Sequence, residues 1–312
     1  MSSVGTGNIV NTYGDVSIKD DVVLNAVEIL TARETQVMSM LPRSSAIATV
    51  HSYLTDELLA PGTLAVAEEG DYTMSNRTTP ARKTNVVQIT AVPVSVSRTQ
   101  QEVSHYHGRN EFERQTEKGL MEFGNSFEFD LVRSTIISGV SGTAPKMEGV
   151  IAHISKSTNT TAHTSGTTFN PSHFEGLLKN QWVNSNGEVA TDLLMSAGTR
   201  KRMDDATQKS NVVVNQPNSV TNIVRMTSTY TTSFGTVNIH THRYVFRAGT
   251  DATDRILGIN RNKGALAWLK TPYIDRDLAR AGDYDRFAVV GKGTFECHNA
   301  DAFFFASGFG IE

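Results

Sequence analysis

Cysteine is almost missing from this chain. Cys297 is the single one in 312 residues, so neither an intrachain disulfide nor a cysteine-rich zinc site can form. A basic surplus is also missing: 29 Lys and Arg stand against 32 Asp and Glu, a formal net charge of −3. A chain built to grip nucleic acid carries excess cations for the phosphates. If DNA lies nearby, this chain walls it off rather than reads it. Long apolar runs are lacking too, since nothing approaches the ~18 uncharged apolar residues that span a bilayer. The opening MSSVGTGNIVNTYGDVSIKDD has neither the basic nor the apolar region of a secretory signal. The expectation is a cytoplasmic product with no membrane partner, in which the sequons at Asn76 and Asn159 carry no sugar. What remains is an ordinary globular composition, 38% hydrophobic and 20% charged, enough for a real core.

Catalytic and metal motifs are scarce. His240-Thr241-His242 places two imidazoles on one strand face, and His105-x-His107 repeats the spacing. A metal site needs a third ligand and usually a carboxylate behind each His, and nothing at telling spacing supplies them. Cys297 and His298 are neighbours on a strand, so they point to opposite faces and cannot form a nucleophilic pair. GVSGTAPK (139–146) is a loose echo of a phosphate loop after a helix instead of a strand. Gly291-x-Gly293 lacks the third glycine of a dinucleotide motif, and no G-x-S-x-G or H-E-x-x-H occurs. The expectation is no enzyme, no cofactor and no metal.

Periodicity gives the organisation. Residues 1–20 read as a polar arm. Val22, Ala26, Leu30, Val37 and Leu41 form one face of a helix stopped by Pro42. Between 51 and 101 the pattern is a long hairpin with a polar tip at 70–83. Val87, Ile89 and Ala91 then alternate on odd positions, whereas Val92, Val94 and Val96 alternate on even ones, which places a change of buried face near Pro93. That suits either an ordinary strand with a proline bulge or an arm laid across another surface.

The clearest helix runs over 110–138, about 43 Å at 1.5 Å per residue. Its stripe is Phe112, Leu120, Phe123, Phe127, Leu131 and Ser134. Glu113, Arg114, Glu117, Lys118, Glu122 and Glu128 are assigned mostly to the other face. Gly119 and Gly124 inside it predict close backbone approach or a bend. A second unit follows: a helix from Pro171, a buried strand in VATDLLMSA, a short helix over 198–206, a hairpin turning at Phe234-Gly235, and two final strands over 285–298 and 301–309. Helices and strands mix without a β-α-β rhythm, which predicts an α+β fold. DRDLARAGDYDR gathers Asp275, Arg276, Asp277, Arg280, Asp283, Asp285 and Arg286; alternating signs read as a solvated turn or as an ion-pair network between subunits.

Six collinear stretches resemble a tailed-bacteriophage major capsid protein of the Hong Kong 97-type fold, in the family typified by phage SU-ten. They are ILTARETQVMSMLPRSSA with SYLTDELLAPGTLAVAEEG, then ARKTNVVQI with VSVSRTQQEV, GRNEFERQTEKGLMEFGNSFEFDLV with SGTAPKMEGV, DLLMSAGTRKRMDD, YTTSFGTVNIHTHR, and LARAGDYDRFAVVGKGTFECHNADA. Together they run from Ile29 to Ala302. The resemblance implies an N-terminal arm (1–45), an extended loop and its base (46–100), a peripheral domain with a spine helix (101–145), an axial domain (146–270), and C-terminal strands returning to the peripheral domain (271–312). It implies a structural virion protein whose copies form pentamers and hexamers around double-stranded DNA. Portal, cement and separate scaffold proteins are the other implied partners. Arg276, Asp277, Arg280, Asp283, Asp285 and Arg286, with Glu68, Glu69, Arg77, Arg82 and Lys83 of the loop, become candidate inter-subunit contacts. Some relatives cross-link subunits through lysine, but Lys83 reads as an ordinary surface lysine. The alternatives are an encapsulin-like cellular compartment, which shares the fold, and a small-molecule hydrolase.

Overall fold

In the computed structural model, the described residues are 35–59, 62, 65–66, 68–70, 77–103, 111–140, 142–155, 160–162, 171–209, 228–246, 251, 253–276, 278 and 282–309. Helix α1 (Gln36–Met40) leads through β1 (Arg43–Ser45) to β2 (Val50–Thr55), β3 (Ala81–Val86) and β4 (Gln88–Ser97). Next come α2 (Arg98–Glu102), α3 (Glu111–Arg133), α4 (Val150–Ile154), β5 (Thr160–Ala162) and α5 (Pro171–Asn184). Then β6 (Asp192–Met195), α6 (Ala197–Lys209), β7 (Thr229–Thr232), β8 (Gly235–Thr241), β9 (Asp254–Ile259), β10 (Gly264–Asp275), β11 (Tyr284–Cys297) and β12 (Phe304–Phe309) complete the order.

Three sheets result: β1-β10-β11-β4, β5-β12-β9-β6-β8-β7, and the two-stranded β2-β3. The second is mixed, with β6 parallel to β8 and antiparallel to β9, so the predicted α+β class holds. The spine helix α3 lies on the four-stranded sheet. Phe123, Phe127 and Leu131 recur every four residues and pack with Leu266, Trp268, Phe287, Val289 and Phe295. Phe127 stacks on Trp268 at 4.8 Å between ring centroids. This core continues through Leu194, Leu257 and Ile259 of the six-stranded sheet, whose other side carries Leu193, Met195 and Ile256 against Phe174, Leu177, Leu178 and Met203 of α5 and α6. Burial on both faces explains why β6 reads as an unbroken apolar run, Leu193-Leu194-Met195.

Several expectations need correction. The spine helix stops at Arg133, giving about 34 Å instead of 43 Å. There the chain turns back: Ile137 and Lys146 exchange backbone hydrogen bonds, and Gly149 N–H donates to Ser134 O at 2.8 Å. Leu120 is exposed, off the buried stripe, whereas Glu128 is wholly buried. The change of face occurs at Val87 and not near Pro93. Even positions from Gln88 to Val96 turn inward along all of β4, Gln88 and Thr90 among them, while Ile89 is exposed. Pro93 fits because β4 is an edge strand. Strand β8 ends at Thr241, and His242–Phe246 turn away. Of the C-terminal strands, β11 joins the sheet under α3, but β12 pairs with β9 and β5 in the six-stranded sheet. The glycines of α3 are close-approach positions: a Cβ on Gly124 would lie 3.1 Å from Thr35 Cγ2, and one on Gly119 3.4 Å from Val289 Cγ2. Most of the predicted first helix, residues 21–34, and the arm 1–20 lie outside the described residues; Gln36–Met40 is helical as predicted.

Candidate assembly surfaces

The hairpin β2-β3 is antiparallel in the register His51↔Asn85 and Tyr53↔Lys83. One face is polar and buried on its own subunit. Asn85, fully buried, donates from Nδ2 to Phe295 O (2.8 Å) and Glu148 O (3.1 Å), and its Oδ1 accepts from Glu148 N (2.9 Å). The His51 ring lies 2.6 Å from Glu296 Oε1, and Tyr53 OH accepts from Cys297 N at 3.1 Å. Three side chains therefore engage three consecutive residues at the end of β11. Burial pushes the Tyr53 phenol up to about 12, and it does the same to the Cys297 thiol. That thiol is inert at ordinary pH.

The opposite face inverts the usual pattern. Val50 and Leu54 point outward, Leu54 68% exposed, and Ile47 and Leu58 beside them are 92% and 94% exposed. Arg82 pairs with Leu54 on this face, and Lys83, exposed too, lies opposite Tyr53 on the other; Arg77 is exposed, as are Glu68 and Glu69 in a turn. Arg82 Nη2 donates to Ser52 Oγ at 2.8 Å. Val50 and Leu54 share this face of the two-stranded ribbon with Ser52, Arg82 and Thr84, and among the described residues no further layer of the chain covers it.

The charge cluster after β10 is partly satisfied within the chain. Asp285 lies 3.5 Å from Arg98 Nε and accepts from Gln101 Nε2 (3.3 Å), and Asp283 O accepts from Arg98 N (3.3 Å). Arg286 sits over the Tyr284 ring at 4.4 Å and Arg276 over Phe112 at 5.7 Å. Asp277 and Arg280 lie outside the described residues. Another exposed apolar patch, invisible to strand or helix periodicity, joins Trp182 and Val183 of α5 to Phe234 at the β7–β8 turn, with 6.2 Å between the Trp182 and Phe234 ring centroids.

The histidine pair does not converge. His240 Nε2 lies 3.1 Å from Asp192 Oδ1, on the carboxylate that Arg261 also holds. His242, fully buried, accepts from Tyr244 N–H at Nδ1 (3.3 Å) and meets Glu128 Oε1 at Nε2 (3.1 Å). Burial alone would raise Asp192, but hydrogen bonds from Arg261, Thr191 and His240 outweigh it and hold the carboxyl below its usual range. His105 and His107 lie outside the described residues; among those described, no three His, Cys, Asp or Glu cluster as metal ligands. A cleft of about 800 Å³ between α3 and 241–246 contains Asp130 and His242, but Gln88 engages the first and Glu128 the second. Both groups are thus tied into contacts between elements of the fold.

Comparison with known proteins agrees with this architecture. The SU10 major capsid protein family matches residues 6–309. The capsid of Myoviridae phage XM1 has a TM-score of 0.62 at 13% identity, covering 93% of this chain and 97% of that one. For Gordonia phage Cozz the values are 0.63, 12%, 100% and 98%. The SrpI encapsulin of Synechococcus elongatus PCC 7942 gives 0.58, 10%, 92% and 93%. At such identities the likeness shows the fold, the Hong Kong 97 type. No curated protein sequence matches. By the family match over nearly its whole length, the chain belongs to the SU10 major capsid protein family.

Proposed function

We propose that copies of this chain assemble as pentamers and hexamers into the icosahedral head of a tailed phage, enclosing double-stranded DNA. The observation that carries the reading is the inverted hairpin. Its polar face is buried on its own subunit, while Ile47, Val50, Leu54 and Leu58 face outward. A neighbouring copy supplies the cover, and each subunit gives and receives such a contact, so the interfaces close by rotation. Individual contacts can be weak, because leaving the shell breaks several together. Residues 1–45 serve as arm, 46–100 as extended loop, 101–145 with β10 and β11 as peripheral domain, and the six-stranded sheet as axial domain. Glu68, Glu69, Arg77, Arg82, Lys83, Arg276 and Arg286 are the exposed charges that would meet neighbours; Asp283 and Asp285 hold α2 first. The net charge of −3 suits a wall along which packaged DNA slides. The family match argues against the encapsulin reading, and a co-purifying cargo enzyme would reverse that preference.

Electron microscopy of the purified full chain tests the proposal. Shells, tubes or capsomers are expected from the native sequence, and Leu54→Asp with Leu58→Asp should leave soluble, folded subunits. Featureless monomers of the native chain at high concentration would overturn it.

A further inference from the structure

Glu296 is a carboxylate buried at the end of β11, 4% exposed, where an unpaired charge would be costly. Oε1 accepts from Ser44 Oγ of β1 at 2.8 Å and lies 2.6 Å from His51 Nε2 of β2. Oε2 lies 3.4 Å from His298 Nε2, and the His298 ring meets the Tyr53 ring edge-on at 5.6 Å. One side chain thus touches the strand before the hairpin, the hairpin itself and the residue that follows β11. On either side, Asn85 and Tyr53 bind backbone atoms of 295, 297 and 148, and Asn85 Nδ2 also lies 3.4 Å from His153 Nε2. Those two fix the position of the hairpin root; Glu296 is the side chain that connects it to β1.

We propose that Glu296 is a positioning residue for assembly: it sets the angle at which the hairpin leaves its subunit, with Ser44 and His51 as the two points it holds. The root is held by polar contacts of fixed direction, whereas an apolar root would be held by area alone; loss of the Glu296 carboxylate leaves Ser44 and His51 without it and frees the hairpin's angle. The hairpin is therefore a strut whose angle is set at this one polar pivot. This rests on the reading of the hairpin as an assembly arm.

Hydrogen exchange on the full chain tests it. Glu296→Ala, and from the hairpin side His51→Leu, should speed exchange of the 50–55 and 81–86 amides about tenfold. Amides of α3 and of β10 should not change. Glu296→Gln, which keeps an acceptor oxygen, should recover most of the protection, and particles of the Ala and Leu variants should broaden in size. Unchanged hairpin exchange in both, acceleration spread evenly over β10 and α3, or no recovery with Gln would each overturn the pivot. Loosened hairpins in particles of normal size would leave the pivot standing and refute the hairpin's part in assembly.

Discussion

Glu128 Oε1 accepts the Val37 backbone N–H at 2.6 Å, joining two residues 91 positions apart. Oε2 accepts from Met38 N–H at 2.9 Å, so a side chain of the spine helix caps α1, which has no side-chain cap of its own. With His242 on the same carboxylate, Glu128 fastens α1, the spine helix and the turn after β8. Glu128→Ala removes the acceptor of two helix N–H groups and the partner of a buried imidazole. It should cost about 3–5 kcal/mol in urea denaturation, and Glu128→Gln, which retains one acceptor, distinctly less. A loss under about 1 kcal/mol would show that α1 is not anchored there.

Close packing of the spine helix predicts a different failure. A Cβ on Gly291 of β11 would fall 2.5 Å from Phe123 Cζ. Gly291→Ala should therefore destabilise by about 1–3 kcal/mol through overpacking. Shortening the partner with Phe123→Leu in the same chain should recover part of that loss, giving a non-zero coupling in a double-mutant cycle. Additive costs would mean that the ring moves aside freely.

These two sites show what the sequence could reveal. The 3.6-residue repeat of Phe123, Phe127 and Leu131 exposed the spine, and alternation in 87–96 exposed a strand, because both record burial against one layer. Periodicity failed where a polar side chain was buried for a distant partner. Glu128 looks like an outward glutamate until Val37 is placed above it, and Gln88 and Thr90 hide the true inward face of β4. Gln88 is inward because it donates to Asp130 of α3 and its Oε1 accepts from Met147 N. The hairpin was legible, but its inversion was not: only the register of His51, Tyr53 and Asn85 against 295–297 shows which face is turned in. The charge run 275–286 gave its location but not its partners, since Arg98 and Gln101 lie over 180 residues away.

Acid should act through Asp192. Its carboxyl is held below its ordinary 3.8 in the folded chain, so it contributes stability in full above that value and loses it as pH falls through the lower folded value. Arg261→Gln removes the charge-assisted partner and should cost about 2 kcal/mol at neutral pH. The variant's stability should then fall less steeply below pH 4 than that of the native chain. Parallel acid limbs in the two proteins would place the acid sensitivity elsewhere.

Alkali should act at the hairpin root. Tyr53 is raised from its ordinary 10.0 to about 12 and Cys297 from 9.0 to about 12, in both cases chiefly by burial. A raised acid keeps its proton in the folded chain after the unfolded chain has released it, so rising pH favours unfolding. The loss should begin near pH 9 with the thiol, steepen past pH 10 with the phenol, and level off near 12. At 1.36 kcal/mol per unit, Tyr53 alone accounts for roughly 3 kcal/mol across that window. Tyr53→Phe gives up the bond from Cys297 N–H and should start about 1 kcal/mol less stable at pH 8. It has no phenol to ionise, so its alkaline decline should be shallower and the two stability curves should cross before pH 12. Cys297→Ala should in turn delay the onset by removing the earlier step. If Tyr53→Phe and the native chain decline in parallel from pH 8 to 12, the phenol is not sealed into the root, and the hairpin is held there by Asn85 and His51 alone.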